Sequence, residues 1–146
     1  VPRVQHAKIE VPQAADKLHA LVSALGSSLP GPFDGEESVT LIPDLDAGAT
    51  GTMPSSTVPA ELGRVVRRYA AGDRAGAVSA WEDLLPLIHF ENRQCGLRAQ
   101  KILLAEGGIV ASDRTRAPFG PVSPRTRRGL IELAAARDLL IMRWGR

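Results

Sequence analysis

The sequence predicts an α/β fold: the C-terminal part of a (β/α)8 TIM barrel, about strands six to eight with their helices, followed by a helical appendage. Three observations carry this. Within the first 72 residues a strand-like run, a loop of small or acidic residues and an amphipathic helical stretch follow one another three times. After Gly72-Asp73 the strand-like runs stop and only helical periodicity continues. A closed barrel takes about 250 residues, whereas the chain has 146, beginning at Val1 and not at Met. It therefore reads as a piece of something longer, with a partial barrel over 1–72 and a C-terminal helical extension packed on it over 73–146.

The elements follow in order. Val4 to Val11 is β-leaning and is ended by Pro12. A helix is expected from about Gln13 to Leu25, with Ala14, Leu18, Leu21, Val22 and Leu25 at helical spacing and Gly26 closing it. Ser28 to Phe33 gives a weak strand and Asp34-Gly35-Glu36-Glu37 a tight turn. Ser38 to Ala47 then reads as a short helix interrupted near Pro43 and closed by Gly48. Ala49 to Met53 is a short buried strand, Pro54 to Thr57 its exit loop, and Pro59 the first position of a helix reaching about Ala71. Beyond it, Ala75 to Phe90 is a helix turning Val78, Trp81, Leu84, Leu85 and Ile88 inward, with a kink at Pro86. A further helix runs through Leu97, Ile102 and Leu103 to Gly107-Gly108, and the last from Pro124, behind Ser123, to Met142.

Composition narrows the function classes. The excess of 18 Lys and Arg over 16 Asp and Glu is small and spread out, and only 4% of residues are aromatic, so nucleic-acid binding has little support. Arg125-Thr126-Arg127-Arg128 is read as a solvated helix start. No apolar run reaches the roughly 18 residues of a membrane span, so no membrane association is expected. No secretory leader is visible, and the single cysteine, Cys95, argues for a reducing compartment, so cytoplasm is the expectation. His6, His19 and His89 lack metal-ligand spacing, which leaves a metal site without support. No histidine motif is placed to activate Cys95, which reads as a small buried thiol. The glycine-rich stretches match neither a P-loop nor a dinucleotide fingerprint. Glu91-Asn92-Arg93-Gln94 reads as a helix-helix junction or a subunit contact.

Lys8 is the residue with the most chemistry to offer. An amine at the end of a strand that feeds a helix points into the mouth of an α/β fold, where ligands usually sit, and is a candidate Schiff-base nucleophile. The competing reading is a solvated edge-strand lysine. If the three units are consecutive barrel strands, then Lys8, the Gly35-Glu36-Glu37 turn and Gly51-Thr52-Met53-Pro54-Ser55 share the catalytic face.

Ala7-Lys8-Ile9-Glu10, Phe33-Asp34-Gly35-Glu36-Glu37, Ala47 to Met53, Tyr69-Ala70-Ala71-Gly72-Asp73, Leu85-Pro86-Leu87-Ile88 and Lys101-Ile102-Leu103 together resemble the C-terminal portion of the dihydrodipicolinate synthase and N-acetylneuraminate lyase family. The resemblance covers nearly the whole chain, and the order and spacing of the pieces are specific. It implies that Lys8 attacks the keto carbon of pyruvate or another 2-keto acid to form an imine, with no further cofactor. It also implies that Gly35 lines the pocket with its backbone, that Glu36 and Glu37 face polar groups of the distal substrate portion, and that Met53 and Ser55 contact the keto acid and its second substrate. The alternatives are plainer: Gly35 permitting a turn, Glu36 and Glu37 favouring a helix N-terminus, Met53 filling core.

Imine formation needs a neutral amine, and a free lysine with a pKa of about 10.4 is almost fully protonated at neutral pH. Burial among apolar strand neighbours is expected to lower that value. The sequence departs from the family in carrying Glu36-Glu37 where many members have one or two aspartates, which suits a different distal group. The threonine pair that holds the keto-acid carboxylate and the proton-relaying tyrosine come from earlier strands in the family. Neither motif occurs here, and Tyr69 lies on a helix in the wrong place to replace the tyrosine. The segments around Gly35 and Cys95 resemble members that handle 2-keto-3-deoxy sugar acids, as dehydratases or aldolases. A second reading is a catalytically inert half-barrel that acts only as an assembly or interaction partner. Open barrel edges and exposed apolar helix faces should make the chain pair with another, as a homo-oligomer like the typically tetrameric family or by complementation with the missing N-terminal part.

Overall fold

The computed structural model describes residues 3–145. Val1, Pro2 and Arg146, at the outer ends of the two expected domains, lie outside the described residues. Three strands, β1 (His6–Ile9), β2 (Gly31–Asp34) and β3 (Gly51–Thr52), form a parallel sheet in the order β1-β2-β3. The register pairs Lys8 with Phe33 and Ile9 with Asp34, and then Asp34 with Thr52. Parallel neighbours require crossovers, supplied by α1 (Ala14–Leu25) and α2 (Leu41–Asp46). All three strands therefore end on the same edge. At the other edge Gly31 leaves room for the imidazole of His6, whose ring stacks on Phe33 with centroids 5.3 Å apart.

The βα grammar of the sequence is present, with boundaries moved by local chemistry. In α1, Ala14 and Leu18 are buried, Leu21 and Val22 are half-buried and Leu25 is exposed. Strand β2 starts later than Ser28 because Gly26–Ser28 forms a 3-10 turn, with the Leu29 N–H donating to Gly26 O at 3.2 Å. Helix α2 starts at Leu41 and not Ser38, since Glu37 and Ser38 hold φ of 55° and 65°, outside the helical region. Pro43 does not interrupt α2. It falls in the first turn, where a missing N–H forfeits no intrahelical bond. Strand β3 is only Gly51–Thr52, although the Met53 N–H still reaches Asp34 O at 2.9 Å.

Helices α3 (Pro59–Ala70), α4 (Arg74–Phe90), α5 (Arg98–Glu106) and α6 (Pro124–Ala135) make up the rest. Pro86 sits inside α4 without ending it, and α4 buries Ala77, Leu84, Leu87 and Ile88 while Val78, Trp81 and Leu85 are half-buried. Its last turn widens into a π turn, Glu91–Cys95, that joins it to α5 and is closed by Gly96 at φ +59°. Leu97, expected within this helix, is instead its N-cap and is 58% exposed. Helix α6 starts as expected, with Ser123 Oγ accepting from the Thr126 N–H at 3.1 Å, but ends at Ala135; Leu140–Met142 is a separate 3-10 turn. Nor is its arginine-rich start simply solvated, since Arg127 pairs with Glu106 and Asp113.

The chain divides into two compact units. One runs to Pro54 and takes in Leu62–Asp83; the other holds Ser55–Glu61 and the chain from Leu84 onward. In the first, the sheet is tied down by polar contacts as well as by Leu18, Leu41 and Leu45. Asp46, at the end of α2, accepts from Arg74 Nη2 at 2.6 Å, Arg74 Nε at 3.0 Å and Tyr69 Oη at 2.7 Å, and these donors hold its carboxyl at about 2. Trp81 Nε1 donates to Ser38 O at 2.8 Å. In the second, α5 packs on α6 around Ala99, Ile102, Leu103, Leu130 and Ala134. Among the described residues no helix is long and apolar enough to cross a membrane.

Candidate active site

The site grows from the shared C-terminal edge of the three strands. Lys8 is the third residue of β1, and its side chain is one-third exposed. Its stem runs over Gly35, the first residue after β2: a Cβ on Gly35 would lie 2.8 Å from Lys8 Cγ and 2.7 Å from Ile9 O. Glycine is needed here for the close approach of β1, since no side chain fits beneath the lysine stem. The amine ends 2.8 Å from Glu10 Oε2. That ion pair raises the Lys8 pKa above its usual value; the partial burial, which lowers it, is outweighed, and the charges of Glu37 and Asp34 add to the rise. The expectation that burial would depress this amine is thus overturned, because a carboxylate two residues along the chain, just past the end of β1, is the stronger influence.

The turn after β2 is held by Asp34. Fully buried, it accepts the Glu36 N–H on Oδ1 at 3.2 Å and the Thr52 hydroxyl on Oδ2 at 2.5 Å. Thr52 is also 2.7 Å from Ser38 Oγ, so one carboxylate and two hydroxyls stitch the exits of β2 and β3 together. The consecutive positive φ values of Glu37 and Ser38 are kept in this frame, at a cost of order 1–3 kcal/mol each for such conformations. Glu36 and Glu37 are half-buried, neither capping α2. Met53 is 47% exposed, so it is not core.

Lys8, Gly35 and Glu37 are therefore brought together, and Glu36 and Met53 are joined to them through Asp34. Ser55 belongs to the other compact unit, where its hydroxyl lies 3.0 Å from Thr57 Oγ1. Reasoning from sequence missed Glu10, Asp34, Asp44 and Thr52. Cys95 is buried, and burial pushes its thiol up, as a packing residue requires. Among the described residues no group of three His, Cys, Asp or Glu side chains is arranged to hold a metal.

Three parallel βα units with a glycine beneath a strand-end lysine, followed by packed helices, define the class: the C-terminal part of a TIM barrel with its helical appendage. The comparisons agree. The chain is 40% identical over 144 residues to the L-2-keto-3-deoxyarabonate dehydratase of Azospirillum brasilense, covering 99% of this chain and 47% of that protein. It superposes on the dihydrodipicolinate synthase of Rhodopseudomonas palustris with a TM-score of 0.81 and 26% identity, over 90% of this chain and 45% of that one. The dihydrodipicolinate synthase of Aquifex aeolicus shares the fold, with a TM-score of 0.82 at 22% identity over 93% and 46%. No protein-family profile matches the chain. Over nearly its whole length the chain is therefore similar to the C-terminal portion of proteins of the dihydrodipicolinate synthase and N-acetylneuraminate lyase family. It spans about half the length of the relatives it matches.

Proposed function

We propose that these residues form the lysine-bearing part of a Schiff-base lyase that acts on a 2-keto-3-deoxy sugar acid as a dehydratase, with pyruvate and aldol chemistry as the nearest alternative. The observation that carries the reading is the seat of Lys8 against Gly35, with Glu37 close enough to act on its charge. The 40% identity to a protein named for dehydration of such an acid supports the choice of substrate class and of dehydration over aldol cleavage.

Neutral Lys8 Nζ adds to the keto carbon, and the resulting carbinolamine loses water to give a protonated imine. The imine draws electrons from the next carbon, which gives up a proton to form an enamine. The enamine then expels the hydroxyl on the following carbon as water, and hydrolysis of the second imine frees the amine. The ion pair with Glu10 opposes the first step, because it keeps the amine charged. A substrate that covers Lys8 and excludes water tips the balance, since desolvation already acts on this amine in the needed direction. In this reading Glu36 and Glu37 meet the polar distal end of the substrate, and Met53 and Ser55 line the keto-acid side. Residues 73–146 serve as the barrel's C-terminal extension. The carboxylate-holding threonines and the relay tyrosine are supplied from outside these 146 residues, by the rest of a longer chain or by a complementing one, within a homo-oligomer working in the cytoplasm.

The test is borohydride reduction in the presence of pyruvate and, separately, of a 2-keto-3-deoxy sugar acid, with the intact mass as readout. A single covalent adduct, formed faster with the sugar acid, is the expected result. Folded protein that gives no adduct with either would favour the inert half-barrel.

A further inference from the structure

A cavity of about 360 Å³ lies in the second compact unit, lined by α5, the start of α6 and the 107–123 segment that joins them. Three arginines stand on it, Arg98, Arg114 and Arg127, with one acid, Asp113. Most of the remaining wall is apolar, from Ile102, Phe119 and Val122. Two of the guanidiniums are fixed in place. Arg98 donates through Nε to Cys95 O at 2.7 Å and through Nη1 to Gly120 O at 3.3 Å, which leaves its Nη2 without a partner among the described residues. Arg127 is held by Glu106 and Asp113, so the acid on the cavity wall is already engaged. Arg114 differs from both: it is exposed and its side chain has no hydrogen bond or ion pair among the described residues. The wall is shaped by its own bonds as well, since Thr115 turns its hydroxyl to Phe119 O at 3.0 Å and the Phe119 N–H donates to Arg116 O at 3.1 Å. That turn leaves the Phe119 side chain 47% exposed on the cavity.

We propose that this cavity is a second binding site, for a small organic carboxylate with an apolar body, whose carboxylate is met by Arg114 and the unpaired Nη2 of Arg98 and whose body covers Ile102, Phe119 and Val122. The charge fits a monoanion, because three arginines face only two acids, Asp113 and Glu106. The donor type fits a carboxylate, whose two oxygens match the planar fork of a guanidinium. Size fits one ring or a short branched chain, since the volume is at the lower end of the roughly 300–1,000 Å³ of small-molecule sites. The wall also says what is refused. Its apolar side chains bond no hydroxyl, and the Thr115 hydroxyl is already turned to Phe119 O, so a hydroxyl-rich sugar acid would leave its own groups unpaired there. The ligand is therefore of a different kind from the acid proposed for Lys8, and no residue of the strand-end site lines this cavity. A bare phosphate would satisfy the arginines and leave the apolar wall wet.

The experiment is an NMR titration of the whole chain with benzoate, following the Nε–H signals of Arg98 and Arg114 and the ring of Phe119. Benzoate is expected to bind saturably and to move the three sets of signals with one midpoint. Gluconate, an anion of equal charge covered in hydroxyls, inorganic phosphate and neutral benzyl alcohol each lack one half of the match. Each should bind at least about tenfold more weakly, the factor that a single charge-assisted hydrogen bond is worth. Arg114→Ala removes an exposed side chain that bonds nothing among the described residues, so it should fold as the parent does and weaken benzoate by about tenfold. Phe119→Ser should weaken benzoate and leave phosphate unchanged. The proposal is overturned by the lack of saturable benzoate binding, by gluconate, phosphate or benzyl alcohol binding as well as benzoate does, or by undiminished binding in Arg114→Ala. Lys8 takes no part in this titration, so its outcome is independent of imine trapping.

Discussion

The Lys8 amine and the Asp44 carboxyl are both raised above their ordinary pKa values, for different reasons. Lys8 is one-third exposed, and its pKa is raised because a carboxylate sits 2.8 Å away. Asp44 is sealed from solvent, and burial, with the acids Asp34 and Glu36 adding to it, pushes its carboxyl up to about 6. A partner governs the first and burial the second, so the first is easily reset by whatever covers the strand ends, and the second is part of the frame. The comparison divides the site into a responsive group and a fixed support.

The sharpest way to break that division is at the responsive group. Lys8→Ala should abolish borohydride trapping altogether while leaving the unfolding midpoint within experimental error, because the amine's one ion pair is with the solvent-exposed Glu10 and such pairs add little stability. Any adduct that survives would place the nucleophile elsewhere. Next comes the seat between the two. Gly35→Ala drives a methyl against Ile9 O and Lys8 Cγ, and should lower stability in urea unfolding by about 1–3 kcal/mol, as overpacking does. A neutral effect would mean that β1 can draw back from the turn. Away from the site, Ser123→Ala removes the cap of α6 and should cost about 1 kcal/mol with trapping unchanged, which controls for general destabilisation.

The smallest effect separates partner from burial. Glu10→Gln removes the ion pair, and because both side chains meet solvent the loss of stability should be under about 1 kcal/mol. The sign follows from linkage: the raised lysine pKa stabilises the fold below the ordinary lysine range, and that contribution is lost as pH climbs through the raised value. With Glu10 gone the amine should titrate lower, and trapping at mildly alkaline pH should quicken several-fold. Unchanged trapping would show that the pair does not control the nucleophile.

Much of this architecture was legible in the sequence, because hydrophobic periodicity and turn residues act locally. The recurrence of strand, acidic loop and helix gave the three parallel βα units, and Ser123-Pro124 marked the start of α6 to the residue. Its end was not marked: Ala135 is followed by Ala136-Arg137-Asp138, with neither glycine nor proline to stop a periodic reading that continues to Met142. Lys8, Gly35 and Glu37 could be grouped from topology, since parallel strands bring their C-terminal ends to one edge. The Asp34 network could not. Its members are spread from Asp34 to Thr52 and meet only through tertiary packing, and the rise of the Asp44 carboxyl comes chiefly from burial, which no single side chain records. For the same reason the Lys8 pKa was expected to move the wrong way: apolar neighbours were visible in the sequence, but the geometry of Glu10 was not.

The chain carries three lysines, Lys8, Lys17 and Lys101, so the position of a trapped adduct discriminates sharply among them. Peptide mapping after borohydride reduction with a 2-keto acid is the most direct measurement. An adduct confined to the peptide that contains Lys8 is the predicted result; an adduct spread evenly over all three, or centred on Lys17 or Lys101, would contradict it.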